Sequence, residues 1–439
     1  MILTLAAAAL LATSSTSGEL PRRGGLGVAL APSAEGISIA NVPEGSAGAQ
    51  AGLREGDVLL GIDGRDITDW LTFQAASAGW AAGRPSTVTV TRDGEAVTLD
   101  VTPTPLPAPT LEGARVELGS VGEVGNRVRT VTLVPDEAST LSRGEARPAV
   151  FYVQGIPCQA IDSFANAQNY RVRLFQDLID AGFIVGFADK PGVGDSEGEA
   201  CLDGGFDREV VAFSEAISAF AARPDTDASR IYAVGVSMGG IQAPLVARDT
   251  DVAGIVTWGT GVSPWFDYIA TNFRMRAVIQ GQPAAEAEAG LRNLRLILSD
   301  LLIDEMSPDE VRALRPDAAQ VFETSFGSME RFAGRHISFH QEIDDAPIWQ
   351  AWQAFEGDLL ALQGEFDWVA SAHDHALAVE AVNLTTPGSG EFVIVEGLDH
   401  AMTAHETLAD SFANTFQGTQ NDRFHDAATR WLIEHASRR

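Results

Sequence analysis

Two serines of this 439-residue chain lie in the pattern Gly-x-Ser-x-Gly, namely Ser196 and Ser237. Ser237 directly follows the apolar run 231–234 and precedes a helical pattern, whereas Ser196 lies in a loop rich in glycine and proline. A strand, a sharp turn and a helix together expose a nucleophilic serine, and the flanking glycines avoid collisions with the adjoining strand and helix. The sequence therefore predicts Ser237 as a nucleophile.

A serine hydroxyl is a poor nucleophile until a base removes its proton, so a carboxylate and a histidine should follow downstream. Among the eight histidines, His400 has the best setting, in the loop after the last predicted strand, and Asp367 has the equivalent place one strand earlier. Both positions are carboxyl ends of strands, where open α/β sheets build their sites. Asp399, adjacent to His400, is poorly placed to orient it, and Glu365 is the reserve acid.

The elements that must position these residues alternate between short apolar strands and longer helical patterns from residue 149 onward. Such alternation favours a parallel sheet covered by helices on both faces. A hairpin over 116–134 is predicted to precede it. The predicted strands are 149–154, 183–188, 230–235, 252–258, 359–363 and 392–395, with helices such as 170–181 and 208–222 between them.

One interval, 261–347, is too long for a crossover and is largely helical in pattern. An insertion at the carboxyl edge of a sheet is where a lid over an active site would lie. Its aromatic residues are candidates for an apolar pocket, although each one could equally be a packing residue between helices. These aromatic residues are Phe266, Tyr268, Phe322, Phe326, Phe332 and Phe339.

The serine turn, the acid loop and the histidine loop together resemble the α/β-hydrolase superfamily, over residues 111–439. Residues 189–198 look like the Gly-rich loop of many bacterial members. The resemblance implies a mostly parallel α/β sheet with a helical lid, and an oxyanion hole formed by the backbone N–H groups of Met238 and Ile156. Gln154 stands where many members have histidine, so the second donor departs from the commoner pattern.

Residues 22–102 show the organisation of a small, mainly β domain, including a hairpin turn at 93–94. The segment 51–59 resembles the motif of bacterial-type PDZ domains. That resemblance implies capture of a peptide on a sheet edge, with its terminal carboxylate on the loop Gly25, Leu26, Gly27 and Val28. The alternative is a PDZ fold that only packs on its neighbour. Alternating prolines over 103–110 predict a stiff linker.

Composition sets the class of partner and the compartment. With 60 acidic against 30 basic residues the chain carries a net charge of −30, which excludes a nucleic-acid partner. Residues 1–18 are predicted to be a secretory signal peptide, because an apolar run too short to span a bilayer precedes small polar residues. We therefore expect a periplasmic or secreted protein without stable membrane insertion.

The two cysteines, Cys158 and Cys201, allow a single pairing, and an exported chain favours a disulfide over two buried thiols. A bond there would tie the oxyanion loop to the loop after Gly198. The run 373–375 contains two histidines, but residues two apart do not share a helix face, so no metal is predicted. Neither a P-loop nor a dinucleotide motif occurs, and no cofactor is predicted.

These features together predict an exported serine hydrolase that cleaves carboxylic esters, with Ser237, His400 and Asp367 as the catalytic triad. Its partners would be a small acyl ester or peptide substrate and a protein C-terminal tail at the PDZ-like domain. Two alternatives stay open. One is a peptidase of the prolyl-oligopeptidase kind, which shares the triad order, and the other is a catalytically silent peptide-binding scaffold.

Overall fold

A computed structural model describes residues 20–33, 36–77, 80–161, 164, 169–414 and 417–439. The predicted signal peptide, residues 1–18, lies outside the described residues. Among the described residues, none of the helices combines the length and the hydropathy that a bilayer crossing requires.

The N-terminal part forms a small β-rich unit with its own core. Alternation of buried and exposed side chains, as at Ile37 and Ile39 or Val88 and Val90, gives each strand one apolar face. The main sheet has the strand order β2-β3-β4-β6-β7. The elements are β1 (Gly24–Gly25), β2 (Ala29–Ser33), β3 (Gly36–Asn41), α1 (Ala47–Ala51), β4 (Val58–Ile62), β5 (Arg65–Asp66), α2 (Trp70–Ser77), β6 (Ser86–Arg92), β7 (Glu95–Val101) and β8 (Thr104–Pro105).

The proline-rich segment 103–110, predicted as a stiff linker, contacts the N-terminal unit through its backbone. Its β8 pairs antiparallel with β1, and the N–H of Leu106 donates to the carbonyl of Arg23 at 3.0 Å. Proline can occupy a short edge strand such as β8, because an edge strand does not need an N–H donor at every residue. The segment is therefore tied back onto the start of the N-terminal unit.

The C-terminal part is built on one eight-stranded sheet flanked by helices. Its strands are apolar on both faces, as in the fully buried β12 and β14, because helices cover each side. The elements up to the sheet centre are β9 (Ala114–Val121), β10 (Val128–Pro135), β11 (Arg147–Val153), α3 (Tyr170–Ala181), β12 (Ile184–Ala188), α4 (Phe206–Ala221), β13 (Thr226–Val236), α5 (Met238–Val246) and β14 (Gly254–Trp258).

Helices and two short strands follow β14 before the chain returns to the sheet. A π-helical turn, 299–303, continues the second of these helices. The remaining elements are α6 (Trp265–Ile279), α7 (Ala284–Leu298), α8 (Pro308–Leu314), α9 (Pro316–Phe326), β15 (Arg331–Phe332), β16 (Arg335–His336), α10 (Ile337–Asp345), α11 (Ile348–Ala354), β17 (Asp358–Gly364), α12 (Ala372–Thr385), β18 (Gly390–Val395), α13 (Leu408–Ala413) and α14 (Arg423–Arg438).

The strand order of this sheet is β9-β10-β12-β11-β13-β14-β17-β18. Strands β11, β12, β13, β14, β17 and β18 pair in parallel, and β10 is antiparallel to both of its neighbours. A single antiparallel second strand and a crossover that places the fourth strand before the third are the topology of the α/β-hydrolase fold. The predicted fold class is confirmed, including the preceding hairpin and the helical insertion between β14 and β17.

The two parts of the chain meet at the loop that carries Ser196. Asp195 is buried, accepts a hydrogen bond from the N–H of Arg23 at 2.5 Å and forms an ion pair with Arg22. From the sheet side, Arg129 approaches the same carboxylate at 3.6 Å. A cavity of about 350 Å³ between α2 and the loops around Cys158 and Cys201 adjoins this contact.

Candidate active site

Ser237 occupies the turn between β13 and α5. Its backbone lies at φ 57° and ψ −122°, outside the regions that side-chain-bearing residues prefer, and its N–H donates to the carbonyl of Trp258 at 2.6 Å. A Cβ on Gly235 would lie 2.4 Å from the carbonyl oxygen of Gly239, and one on Gly239 would lie 2.0 Å from that of Val153. The two glycines therefore allow the sharp turn that presents Ser237, for the reason the sequence suggests.

His400 lies between Ser237 and Asp367. Its Nε2 is 3.0 Å from the Ser237 Oγ, and its Nδ1 is 2.8 Å from Asp367 Oδ2. Only 11% of the histidine side chain is exposed, and the carboxylate is fully buried. A neutral imidazole that donates from Nδ1 to the carboxylate leaves Nε2 free to accept the serine proton, which is the arrangement of a general base.

The acid of this chain of contacts is held by its own loop. The other oxygen of Asp367 accepts hydrogen bonds from the N–H groups of Val369 and Ala370 at 2.8 and 2.9 Å. The reserve acid, Glu365, instead accepts from the N–H of Gly397 at 2.9 Å. Asp399 accepts from the N–H of Thr403 at 2.8 Å, and its other oxygen lies 3.1 Å from Nε2 of His405. Of the three acids considered from the sequence, the structure places Asp367 at the histidine.

The carboxyl end of β14 closes the back of this group. A Cβ on Gly259 would lie 2.6 Å from Cε1 of His400 and 3.5 Å from Asp367 Oδ2, so the imidazole packs directly on the glycine backbone. The indole N–H of Trp258 donates to the carbonyl of His400 at 2.9 Å. Sequence reasoning missed both residues, although a glycine directly after a buried strand at the catalytic edge was a signal for close approach.

The residues predicted to supply the oxyanion donors, Met238 and Ile156, border the same cavity as Ser237. Met238 is the first residue of α5, so its N–H has no partner within the helix. Ile156 lies in the loop after β11, where its carbonyl accepts from Lys190 Nζ at 3.2 Å and from Arg335 Nη1 at 3.4 Å. Lys190 and Arg335 thus fix the orientation of the loop that carries Ile156.

The two cations belong to a buried charged cluster that the sequence did not reveal. Glu209, on α4, accepts from Lys190 at 2.9 Å and pairs with Arg335 at 2.8 Å, and Gln242 also donates to it at 3.1 Å. All four side chains are fully buried. Burial lowers the pKa of Lys190 to about 8, although the charge of Glu209 opposes this effect. The guanidinium of Arg335 stacks 3.7 Å from the ring of Phe339.

Cys158 and Cys201 form a disulfide bond, which joins the oxyanion loop to the segment before α4. The predicted pairing is present. Cys201 is buried, and its sulfur lies 3.9 Å from Glu209 Oε1, so the disulfide packs beside the buried charged cluster. The bond and the cluster hold the loop of Ile156 from two sides.

A cavity of about 520 Å³ opens at Ser237 and His400. Its size is that of a site for a small organic ligand, and its walls are mainly aromatic and aliphatic. Trp265 and Tyr268, both on α6, stack with their ring centroids 4.4 Å apart in one wall. The helical insertion therefore forms the roof of the cavity, as its position in the sequence predicted.

The aromatic residues predicted for the pocket divide into three groups. Tyr268 and Phe332 line the cavity. Phe322 and Phe339 are buried in the core and Phe266 packs against it, so they are packing residues. The side chain of Phe326 lies outside the described residues. Trp265 and Trp368 line the cavity without having been predicted, because their direction depends on how α6 and the acid loop pack.

The second Gly-x-Ser-x-Gly motif, at Ser196, and the run 373–375 both hold backbone segments in place. The hydroxyl of Ser196 accepts from the N–H of Arg129 at 2.9 Å. In the run 373–375, Asp374 accepts from the N–H groups of Val262 and Ser263, and His375 accepts from the N–H of Thr260 at 3.2 Å. Both side chains therefore hold the backbone that follows β14.

The predicted carboxylate-binding loop of the N-terminal part lies at the end of an edge strand. Gly25 belongs to β1, while Leu26, Gly27 and Val28 connect β1 to β2 rather than continuing a strand. The carbonyl of Leu26 accepts from the N–H of Gly48 at 2.7 Å. Within the described part of the chain, β2 pairs with β3 alone, so its other edge is open.

Comparison with known proteins supports the reading of the N-terminal part. Residues 24–102 match the family model of the PDZ domain. This part of the chain is a PDZ domain. A curated relative from Agrobacterium fabrum, whose name suggests a zinc metalloprotease, is 36% identical over 106 residues, or 23% of this chain and 27% of the relative. The chain with its PDZ domain thus spans about a quarter of that relative's length.

Solved structures similar to the chain include two esterases and a peptidase. Est1E of Butyrivibrio proteoclasticus, with ferulic acid bound, is 12% identical with a TM-score of 0.43, over 72% of this chain and 99% of that chain. Acetyl xylan esterase 1 of Thermoanaerobacterium sp. is 15% identical with a TM-score of 0.44, over 74% of this chain and 85% of that chain. The acylaminoacyl peptidase of Pyrococcus horikoshii is 12% identical with a TM-score of 0.46, over 80% of this chain and 46% of that chain. The substrate has to be inferred from the site of this chain itself.

We expect the pH dependence of ester hydrolysis to report on His400. Burial lowers the pKa of this imidazole, but the charge and hydrogen bond of Asp367 outweigh burial and raise the pKa above its ordinary value of 6.5. A general base acts in its neutral form, so kcat/KM should fall as the pH drops through this raised pKa. In the Asp367→Asn variant, kcat/KM should fall at least about 100-fold and the midpoint should move to lower pH.

The matched control for this pH profile is Glu365→Gln, which removes the neighbouring carboxylate that bonds to Gly397 rather than to His400. Its midpoint should equal that of the unmodified protein. An unchanged midpoint in Asp367→Asn would contradict the assignment of Asp367 as the orienting acid.

Proposed function

We propose that this protein is an exported serine hydrolase that cleaves carboxylic esters through an acyl-enzyme intermediate. The observation that carries the proposal is the continuous line of contacts from Ser237 Oγ through the imidazole of His400 to buried Asp367, at the mouth of an apolar cavity. A hydroxyl with a base at hydrogen-bond distance, and an acid behind that base, form an activated nucleophile.

The reaction follows from these positions. Ser237 Oγ attacks the acyl carbon while its proton moves to Nε2 of His400, and the positive imidazole is stabilised by Asp367. Collapse of the tetrahedral intermediate breaks the ester bond, and the alcohol leaves with the proton from His400. Water then loses a proton to His400 and attacks the acyl carbon; the bond to Ser237 Oγ breaks, Oγ takes the proton back from His400, and the carboxylic acid leaves.

Charge on the carbonyl oxygen is stabilised by backbone donors in this proposal. The N–H groups of Met238 and Ile156 supply the two hydrogen bonds. The loop that carries Ile156 is held in place by Lys190 and Arg335 before the substrate binds. Donors that are already oriented stabilise an oxyanion without reorganising during the reaction.

Two further features support the compartment and the size of the substrate. The disulfide between Cys158 and Cys201 is typical of a chain that folds in an oxidising environment, such as the periplasm or the outside of the cell. The cavity of about 520 Å³ fits a small acyl ester rather than a folded protein.

For the PDZ domain we propose capture of a protein C-terminal tail. The open edge of β2 and the adjoining loop of Gly25, Leu26, Gly27 and Val28 support strand addition with the terminal carboxylate at the loop. Binding of a C-terminal peptide that disappears when its carboxylate is amidated would support this role, and equal binding of both peptides would argue against it.

The experiment that tests the catalytic proposal is labelling of the purified protein by a fluorophosphonate, followed by mapping of the modified residue. We expect label on Ser237, full labelling of the control variant Ser196→Ala, and loss of labelling in His400→Ala. No labelling of the folded protein, or labelling elsewhere, would contradict the proposal and favour a scaffold role. If labelled protein releases product from peptide amides as fast as from esters, the substrate class is peptides instead.

A further inference from the structure

The cavity at Ser237 has an uneven distribution of charge. In the part of the chain that the structure describes, neither an aspartate nor a glutamate lines it, whereas one arginine, Arg171, does. The remaining polar groups of its wall are neutral, apart from His400. The whole chain carries a charge of −30, whereas the one fixed charge on this cavity wall is positive.

Arg171 has no carboxylate partner in the described part of the chain. Among the described residues, no acidic group lies within 4 Å of its guanidinium, which lies 5.8 Å from the ring centroid of Tyr170. The neighbouring Arg173, on the same helix, pairs with Asp422. Arg171 also lies in the first turn of α3, where the helix dipole disfavours a cation. No contact within the described protein explains its charge.

We infer that Arg171 binds a carboxylate of the substrate, so that the preferred substrates are esters with an apolar body and an anionic end. This inference rests on the proposed function, and it names the substrate class of the same site. The guanidinium can form two parallel charge-assisted hydrogen bonds with a carboxylate, whereas the aromatic wall takes the apolar body. A carboxylate approaching a chain of −30 is repelled at long range, but repulsion beyond about 10 Å is screened by salt, so the local cation decides binding.

The test compares two series of 4-nitrophenyl esters that differ only in charge. One series has a free carboxylate at the far end of the acyl chain, as in 4-nitrophenyl hydrogen succinate, glutarate, adipate and suberate. The other has the same acids with that end blocked as a methyl ester, and release of 4-nitrophenol is followed in both. We expect the unmodified protein to show a higher kcat/KM for the charged ester at the chain length that spans from Ser237 to Arg171.

The variants separate binding from structure. Arg171→Gln should lower kcat/KM for the charged ester about 10- to 100-fold, mostly through KM, and change the neutral ester less than about threefold. Arg171→Lys should keep part of the preference, because the ammonium group retains the positive charge but cannot form the two parallel hydrogen bonds of the guanidinium. Arg173→Gln removes an equal charge two residues along α3, outside the cavity, and should leave the preference unchanged.

Each contrary outcome overturns a different statement. Equal losses on both ester series in Arg171→Gln would mean a structural role and refute the inference. Hydrolysis of both series without preference, unaffected by Arg171→Gln, would refute the inference while leaving the serine hydrolase in place. Hydrolysis of either series by Ser237→Ala at the normal rate would refute the proposed function itself.

Discussion

Ser237→Ala is expected to lower kcat/KM for a short aryl ester by about 10⁴-fold or more, because the nucleophile of the acyl-enzyme step is then absent. The alanine side chain fits the same turn, since it is smaller than the serine it replaces. Folding should therefore be retained, and KM for a neutral ester should change little. Stopped-flow and steady-state release of 4-nitrophenol give both constants.

The chain supplies its own control for this variant. Ser196→Ala changes the serine of the other Gly-x-Ser-x-Gly motif, whose hydroxyl accepts from the N–H of Arg129. This variant should keep its activity within a few-fold, with any loss confined to stability. A residual rate in Ser237→Ala close to that of the unmodified protein would mean that another group performs the chemistry.

The double variant Cys158→Ser, Cys201→Ser should be less stable by about 4 kcal/mol. The disulfide closes a loop with a sequence separation of 43 residues, and its removal restores the conformational entropy of that loop in the unfolded chain. The transition of the α/β-hydrolase part should move to lower temperature, by an amount on the order of 10 °C. Differential scanning calorimetry measures this shift.

Reduction of the unmodified protein is the matching control, since dithiothreitol should lower its transition toward that of the double variant and leave the double variant unchanged. The PDZ domain lies outside the closed loop, so its own unfolding should be unaffected. Equal transition temperatures for the oxidised protein and the double variant would show that the loop is held by other contacts, such as the cluster around Glu209.

The sequence was sufficient where local patterns and sheet geometry act together. A strand, two glycines and a helix placed Ser237, and the rule that carboxyl ends of parallel strands share one edge brought His400 and Asp367 to it from 130 or more positions away. The PDZ domain followed from the segment 51–59 and the hairpin at 93–94. Confirmed strands shifted at most four residues at their ends, as is usual for element boundaries.

The sequence was insufficient where tertiary contacts decide the environment. Glu209 and Arg335 lie on distant elements, and nothing local indicates that they meet in the interior. The pairing of β8 with β1 could not be predicted from the proline-rich segment itself, because it depends on both chain ends of the PDZ domain lying side by side. Arg171 is an ordinary helix residue until α3 is placed beside Ser237.

Arg335, one of the arginines of the helical insertion, bears on whether the roof of the cavity can move. Arg335 lies on β16 and is buried against Glu209, so outward movement of this hairpin would leave the carboxylate of Glu209 with one cation in the protein interior. Such a separation is unfavourable, because it breaks a buried ion pair and leaves Lys190 as the one positive group beside Glu209. One set of buried charges therefore joins the helical insertion to the loop of Ile156, and we expect this part of the cavity roof to stay in place while a substrate binds.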